Sequence, residues 1–369
     1  MTINDVPARS ALFVCVAAAA TAMLMGCGWA AVAHAQASIT ADRIALFDRY
    51  LEALRREAGI PGLSAAILLD GHVVWEKALG YANVQRRIPA RPDTPFPIAS
   101  LTKTFTSTLL LRCVEQRTLN LEEPISRYSP AIPEPAATVR HVLSHTSRGT
   151  PGSRFEYDGD RFLALTPVVE SCTAHSYRVA LNQLVLAPLA MRRSVPGHDL
   201  LDADPDLAQI FDAATLARFR QTLSDLAVPY EVTRRIPRVT TYPPREINAS
   251  AGLVSTVQDL VQYDQAINRH LLISAESQQL AWSQSPTASG RAPYGLGWFV
   301  QMYNGQKIVW HFGQWPQFSA LYLKVPDSRL TLVLLANSSD LSSRFPLALG
   351  DVTVSPFARI FLTAVLEGR

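Results

Sequence analysis

Residues 95–103 read Pro95-Phe96-Pro97-Ile98-Ala99-Ser100-Leu101-Thr102-Lys103 and lead into a helix-like apolar stretch from Leu101 to Glu115. The two prolines hold the approach extended, so Ser100 falls at the helix start. A spacing of three sets Lys103 one turn behind it on the same face. This is the only Ser-x-x-Lys in a chain whose only lysines are Lys77, Lys103, Lys307 and Lys324, nearly all its basic residues being arginine. A serine hydroxyl is a weak nucleophile at its own pKa and needs a base within hydrogen-bond reach. A desolvated lysine meets that need, and so does a phenolate whose charge the lysine stabilises. The N–H groups of the helix start add donors for developing negative charge. A capping serine followed by an unrelated surface lysine is the plainer alternative, and four residues alone do not exclude it.

Two further segments carry candidates. Pro151-Gly152-Ser153-Arg154-Phe155-Glu156-Tyr157 is a turn that delivers a tyrosine ahead of the helix-like stretch Phe162 to Ser171. His311-Phe312-Gly313 ends a strand-like run, where a glycine lets a substrate lie against the strand. The N–H just beyond, on Gln314, is placed to form half of an oxyanion hole with that of Ser100. A lone tyrosine or histidine in such settings is more often structural.

Strand signals lie at both ends of the chain. Leu63 to Leu69 and His72 to Lys77 flank Asp70-Gly71, and Trp298 to Tyr303 and Lys307 to His311 flank Asn304-Gly305. Both dipeptides are two-residue hairpin signals. Phe318 to Val325 and Leu330 to Ala336 turn at Pro326-Asp327-Ser328. Thr40 to Ala58 has amphipathic helical spacing, and Pro356 to Leu366 reads as a terminal helix. From about Ser100 to Ala281 the pattern is mostly helical, punctuated by Pro151, Pro188, Pro196 and Pro243-Pro244. An antiparallel sheet shared between the chain ends, with a helical insert, gives two lobes with a crevice between them.

The 369 residues, 48% hydrophobic and 18% charged, suffice for a large core, and a net charge of +3 without basic blocks gives no reason to expect nucleic acid. Arg9, the apolar run Ala11 to Val32 and the small-x-small site Ala33-His34-Ala35 read as a signal peptide cut after Ala35 or Ala37. A membrane anchor and lipidation at Cys27, in Leu24-Met25-Gly26-Cys27, are the rivals. After removal only Cys113 and Cys172 remain, either as one disulfide or as two buried thiols. His141 and His145 have the spacing of zinc ligands on a helix, but the motif glutamate and a third ligand are missing, so no metal and no cofactor is expected. His72, His175, His198 and His270 read as surface residues. No Gly-x-Ser-x-Gly elbow occurs, which removes an α/β-hydrolase.

Taken together the chain resembles the serine β-lactamase-related family, which includes class C β-lactamases, D-Ala-D-Ala peptidases and carboxylesterases of that fold. The likeness runs through Asp93-Thr94-Pro95-Phe96-Pro97-Ile98-Ala99-Ser100, Val142-Leu143-Ser144-His145-Thr146-Ser147 and Pro188-Leu189-Ala190-Met191. It continues through Ala251-Gly252-Leu253-Val254-Ser255-Thr256 with Asp259-Leu260, Tyr294-Gly295-Leu296-Gly297-Trp298 and Leu334-Leu335-Ala336-Asn337. The resemblance implies an α/β (α+β) fold of the β-lactamase and penicillin-binding-protein kind. It makes Ser100 the acylated nucleophile, Lys103 its proton-transfer partner and Tyr157 the general base. His311, Gly313 and Gln314 become the substrate-binding strand.

Two departures from the family bear on substrate. Where Tyr-x-Asn is common this chain has Tyr157-Asp158-Gly159, without the carboxamide, and Gln314-Trp315-Pro316-Gln317 replaces a glycine-rich run. The loop from His145 to Tyr157 also looks short. The expectation is a signal peptide over 1–35 and one hydrolase domain over 38–369. Its α/β lobe covers about 38–99 and 282–369, and its helical lobe about 100–281. The protein is expected in the periplasm or secreted, without stable membrane insertion, acting through an acyl-enzyme on small acyl esters. β-Lactamase, D-Ala-D-Ala carboxypeptidase or D-aminopeptidase activity is the alternative, and a non-catalytic penicillin-binding or sensing protein is the alternative of another class. Oligomeric state is open.

Overall fold

Two turns set the antiparallel frame. Asp70 and Gly71 have φ of 55° and 75°, and Asn304 and Gly305 have 47° and 79°. Both positions of each turn are thus left-handed, as a two-residue hairpin matched to strand twist requires. A computed structural model describes residues 39–201, 207–243 and 246–367. The expected signal peptide over 1–35, with Cys27, and Pro244 lie outside the described residues.

The main sheet contains β1 (Gly62–Leu69), β2 (His72–Asn83), β3 (Ile88–Pro89), β4 (Phe299–Tyr303), β5 (Gln306–Trp315), β6 (Phe318–Val325) and β7 (Leu330–Ala336). Their order across the sheet is β4-β5-β6-β7-β1-β2-β3. The join between the chain ends is the β1–β7 pair, with Ala65 opposite Leu334 and Ile67 opposite Leu332. Side chains alternate along β1, and both faces are covered. Leu63, Ala65 and Ile67 pack with Phe47, Leu51, Phe357 and Phe361 from α1 (Ala41–Ala58) and the terminal helix that begins at Pro356. Ala66 and Leu68 pack on the opposite side with Phe105 and Leu109 from the helical middle.

Several elements exceed the sequence reading. β2 runs past Lys77 to Asn83 after a register shift between Ile67 and Leu68 of its partner strand. β5 continues past His311 to Trp315, because Pro316 and Gln317 form a tight turn into β6. The helix expected over Phe162 to Ser171 is divided, since Pro167 starts a new helix, Thr166–Thr173, rather than continuing the old one. The middle also holds a small sheet in which Leu253–Ser255 pairs with Phe96–Pro97 and Val195–Pro196. His198 is buried, against the expectation of a surface residue, with its ring edge-on to Tyr242 at 4.7 Å.

The helix Thr102–Glu115, α2, is buried on nearly all sides despite its threonines. Each hydroxyl has a partner, as burial demands: Thr106 Oγ1 donates to Ala249 O at 2.6 Å, and Thr108 Oγ1 meets Tyr263 OH at 3.0 Å. Cys113, near its end, is joined by a disulfide to Cys172 of the Thr166–Thr173 helix. On the same face of the sheet as α2, Asp264 (0% exposed) and Lys324 (2%) form a buried ion pair at 2.7 Å, which Thr331 Oγ1 joins at 2.9 Å. Among the described residues no helix is long and apolar enough to cross a membrane.

Candidate active site

Ser100 lies in a single 3-10 turn, Ala99–Leu101, that feeds α2. Ala99 carries φ 47°, a left-handed conformation that costs alanine roughly 1–2 kcal/mol. Surrounding structure holds it there. Ile98 N donates to Leu253 O at 2.9 Å on one side, and β5 lies against the turn on the other. That approach requires Gly313, because a Cβ there would stand 2.1 Å from Ile98 O. Ser100 stays half-buried between buried neighbours, and β4 has ended before β5 reaches Gln314, which is exposed.

Lys103 is fully buried. Its Nζ donates to Ser100 Oγ at 2.9 Å, Ser250 O at 3.0 Å and Ser250 Oγ at 2.7 Å. Burial pulls its pKa from 10.5 down to about 7, with Asp160 and then Asp158 pulling the other way. Near neutral pH the amine therefore exists in both protonation states.

Tyr157 completes the group. Lys103 Nζ is 5.5 Å from the ring centre, and the ring packs among His145 at 4.4 Å, Phe299 at 5.5 Å and Phe312 at 5.7 Å. Burial pushes its phenol well above the usual range, with the Ser100 hydroxyl acting in the opposite sense. The phenolic oxygen is buried without a well-formed hydrogen bond. The next residue, Asp158, caps the short helix Gly159–Phe162 by accepting from Asp160 N at 3.0 Å and Arg161 N at 3.1 Å, and it pairs with Arg148.

His311 has no exposed surface. Its Nε2 meets Tyr294 OH at 2.9 Å and its Nδ1 faces Phe312 O at 2.7 Å. Burial and the nearby Lys103 pull its pKa to about 3, so the ring is neutral. The histidine is enclosed by protein, with its ring bonded to Tyr294 rather than presented to solvent.

Ser100, Lys103 and Tyr157 thus converge, with His311 behind them and Gln314 at the rim. Two participants were not assigned to the site from the sequence. Ser250 precedes the stretch Ala251 to Thr256 that carries part of the family likeness, and it meets Lys103 only through the fold. His145 stood in a motif without a role. Its Nδ1 accepts from Asp158 N at 3.2 Å, which puts the neutral ring's proton on Nε2, and its ring backs Tyr157.

A sequence model of the family described as Beta-lactamase matches residues 47–350. Penicillin-binding protein 4* of Bacillus subtilis (strain 168) is 23% identical over 307 residues, which are 73% of this chain and 66% of that protein. The chain therefore spans a little under two thirds of that relative's length. The octameric penicillin-binding protein homologue from Pyrococcus abyssi superposes with a TM-score of 0.71 at 22% identity, covering 88% of this chain and 78% of that one. D-amino acid amidase from Ochrobactrum anthropi SV3 gives 0.68 at 20% identity, covering 89% of this chain and 100% of that one. At these identities the two structures speak for the fold.

Proposed function

The chain belongs to the beta-lactamase family, and from that premise we propose that it is a serine hydrolase which forms an acyl-enzyme on Ser100 and acts best on small acyl esters. The observation that carries this reading is the fully buried Lys103, 2.9 Å from Ser100 Oγ and with its pKa drawn down to about 7. A lysine so tuned is matched to proton transfer at neutral pH.

In the proposed cycle neutral Lys103 takes the Ser100 proton as Oγ bonds to the substrate carbonyl carbon. The N–H groups of Ser100 and Gln314 hold the oxyanion. Collapse of the intermediate breaks the bond to the leaving oxygen, which receives a proton from the Lys103 ammonium or the Tyr157 phenol. Water then adds to the acyl carbon by the same route and frees Ser100. The sequence reading gave the base's role to Tyr157; the two environments favour Lys103 as first acceptor and a protonated Tyr157 as donor.

Esters are favoured because Gly159 offers no carboxamide to an acylamido side chain, and the neutral His311 offers no charge to a β-lactam carboxylate. Export is proposed with it, supported by the run Ala11 to Val32, the site Ala33-His34-Ala35 and a disulfide of the sort kept in oxidising compartments. The test is a panel of chromogenic short-chain esters, D-amino-acid amides and a chromogenic cephalosporin. Highest catalytic efficiency on an ester is expected. Preference for the cephalosporin or an amide would replace the ester reading, and no turnover would favour a binding or sensing protein.

A further inference from the structure

Gly159 offers no side chain to Lys103, although a Cβ there would stand 3.8 Å from its Nζ, yet the amine does not lack acceptors. Ser250 supplies two of them, its carbonyl oxygen at 3.0 Å and its hydroxyl at 2.7 Å. The hydroxyl's own proton is committed, since Ser250 Oγ donates to Gly159 O at 2.7 Å. Toward Lys103, both Ser250 oxygens can therefore only accept.

We propose that Ser250 is a positioning residue for Lys103, its hydroxyl standing in for the missing side chain at position 159 and its two oxygens fixing the direction of the amine's lone pair. A neutral lysine has two N–H bonds and one lone pair. With both N–H bonds held by Ser250, the lone pair is left on the third side, where Ser100 Oγ lies at 2.9 Å. The Ser100 hydroxyl then donates to the amine, as proton abstraction requires.

Ser250 is itself held in place. Asn248 Oδ1 accepts from Ser250 N at 2.9 Å and Ala251 N at 3.0 Å, and Ala249 O is pinned by Thr106 of α2. The equivalence with position 159 is geometric. A Cβ on Gly159 would stand 3.6 Å from Ser250 Oγ and 3.8 Å from Lys103 Nζ, an ordinary contact distance from which a longer side chain reaches the same amine.

The inference rests on the serine-hydrolase reading, and its test separates the two. The whole chain and the variants Ser250→Ala, Ser250→Cys, Gly159→Asn and Ser250→Ala/Gly159→Asn are compared. The readouts are the rate at which a fluorophosphonate labels Ser100, kcat and KM for an ester, and thermal melting. Ser250→Ala should label on the order of 10²-fold more slowly, the loss falling on kcat with KM nearly unchanged. Ser250→Cys, keeping the shape but offering a weakly accepting sulfur, should move the same way. Adding Gly159→Asn to Ser250→Ala should recover about tenfold or more relative to its effect on the parent protein, a coupling that a merely structural serine would not produce. Undiminished labelling in folded Ser250→Ala and Ser250→Cys, or no recovery in the double variant, overturns the proposal. Failure of the parent protein to label at Ser100 would instead remove the hydrolase reading beneath it.

Discussion

Lys103 Nζ stands 5.5 Å from the centre of the Tyr157 ring, and one cause, burial, drives the proton affinities of the two groups in opposite directions. Desolvation disfavours whichever form is charged. The ammonium is discouraged and the amine favoured; the phenolate is discouraged and the phenol favoured. Two neighbours that differ little in water thus become one acceptor and one donor at neutral pH.

The pH dependence of kcat/KM follows. Activity needs neutral Lys103, so it should rise with pH through about 7, the value to which burial brings the amine. Tyr157 stays protonated through and above this range, so no second rising limb belongs to it. Ester kinetics from pH 5 to pH 10 would measure this. A rise centred near the ordinary tyrosine value would return the base's role to Tyr157.

Tyr157→Phe separates catalysis from stability. The phenolic oxygen is buried without a well-formed hydrogen bond, so its deletion leaves no new orphan and stability should change by no more than about 1 kcal/mol. Turnover should fall on the order of 10²-fold or more, because a proton donor is lost. Denaturant melts beside ester kinetics check both halves. A large loss of stability with activity intact would make the tyrosine a packing residue.

The main sheet was legible because its signals are local. Asp70-Gly71 and Asn304-Gly305 announce their turns by residue type, and the apolar runs on either side of them announce the strands. The core of the site was legible too, since Ser100 and Lys103 share one helical turn. Ser250 was not, because nothing marks it before Thr106 and Asn248 bring its segment to Lys103. The fate of His311 was equally hidden: a histidine at a strand end reads the same whether it faces solvent or is enclosed against Tyr294. Cys113 and Cys172 could not be paired from spacing, because the division of a helix at Pro167 helps to decide where Cys172 stands.

The buried Asp264–Lys324 pair, with Tyr322 and Thr331 also donating to the carboxylate, should be unforgiving. Asp264→Ala strands the Lys324 ammonium, which is 2% exposed, and should cost about 3–5 kcal/mol. Replacing the group by matched apolar residues should cost far less. Chemical denaturation of both variants would check the contrast; equal losses would mean that packing, not charge, sets the penalty.

His311 should make the protein sensitive to acid. Its pKa is near 3 in the fold, first because of burial and then because of Lys103, against an ordinary value of 6.5. Between these values the unfolded chain takes up a proton that the folded chain refuses, so stability is full above pH 6.5 and declines as pH falls toward 3. The slope from this group is at most about 1.4 kcal/mol per pH unit. His145, held well below its ordinary value by burial, by Lys103 and by His311, adds to the decline in the same sense. Carboxylates also respond in this range, so the informative measurement is a difference. Unfolding free energies of the parent and of His311→Asn, whose side chain does not titrate, should be compared from pH 7 to pH 4. The variant's curve should be shallower by about one proton, whatever its absolute stability. Parallel curves would mean that His311 titrates alike in the folded and unfolded chains and so takes up a proton in the fold as pH falls below its ordinary value. That result would restore it as a partner for a substrate carboxylate and weaken the case for esters.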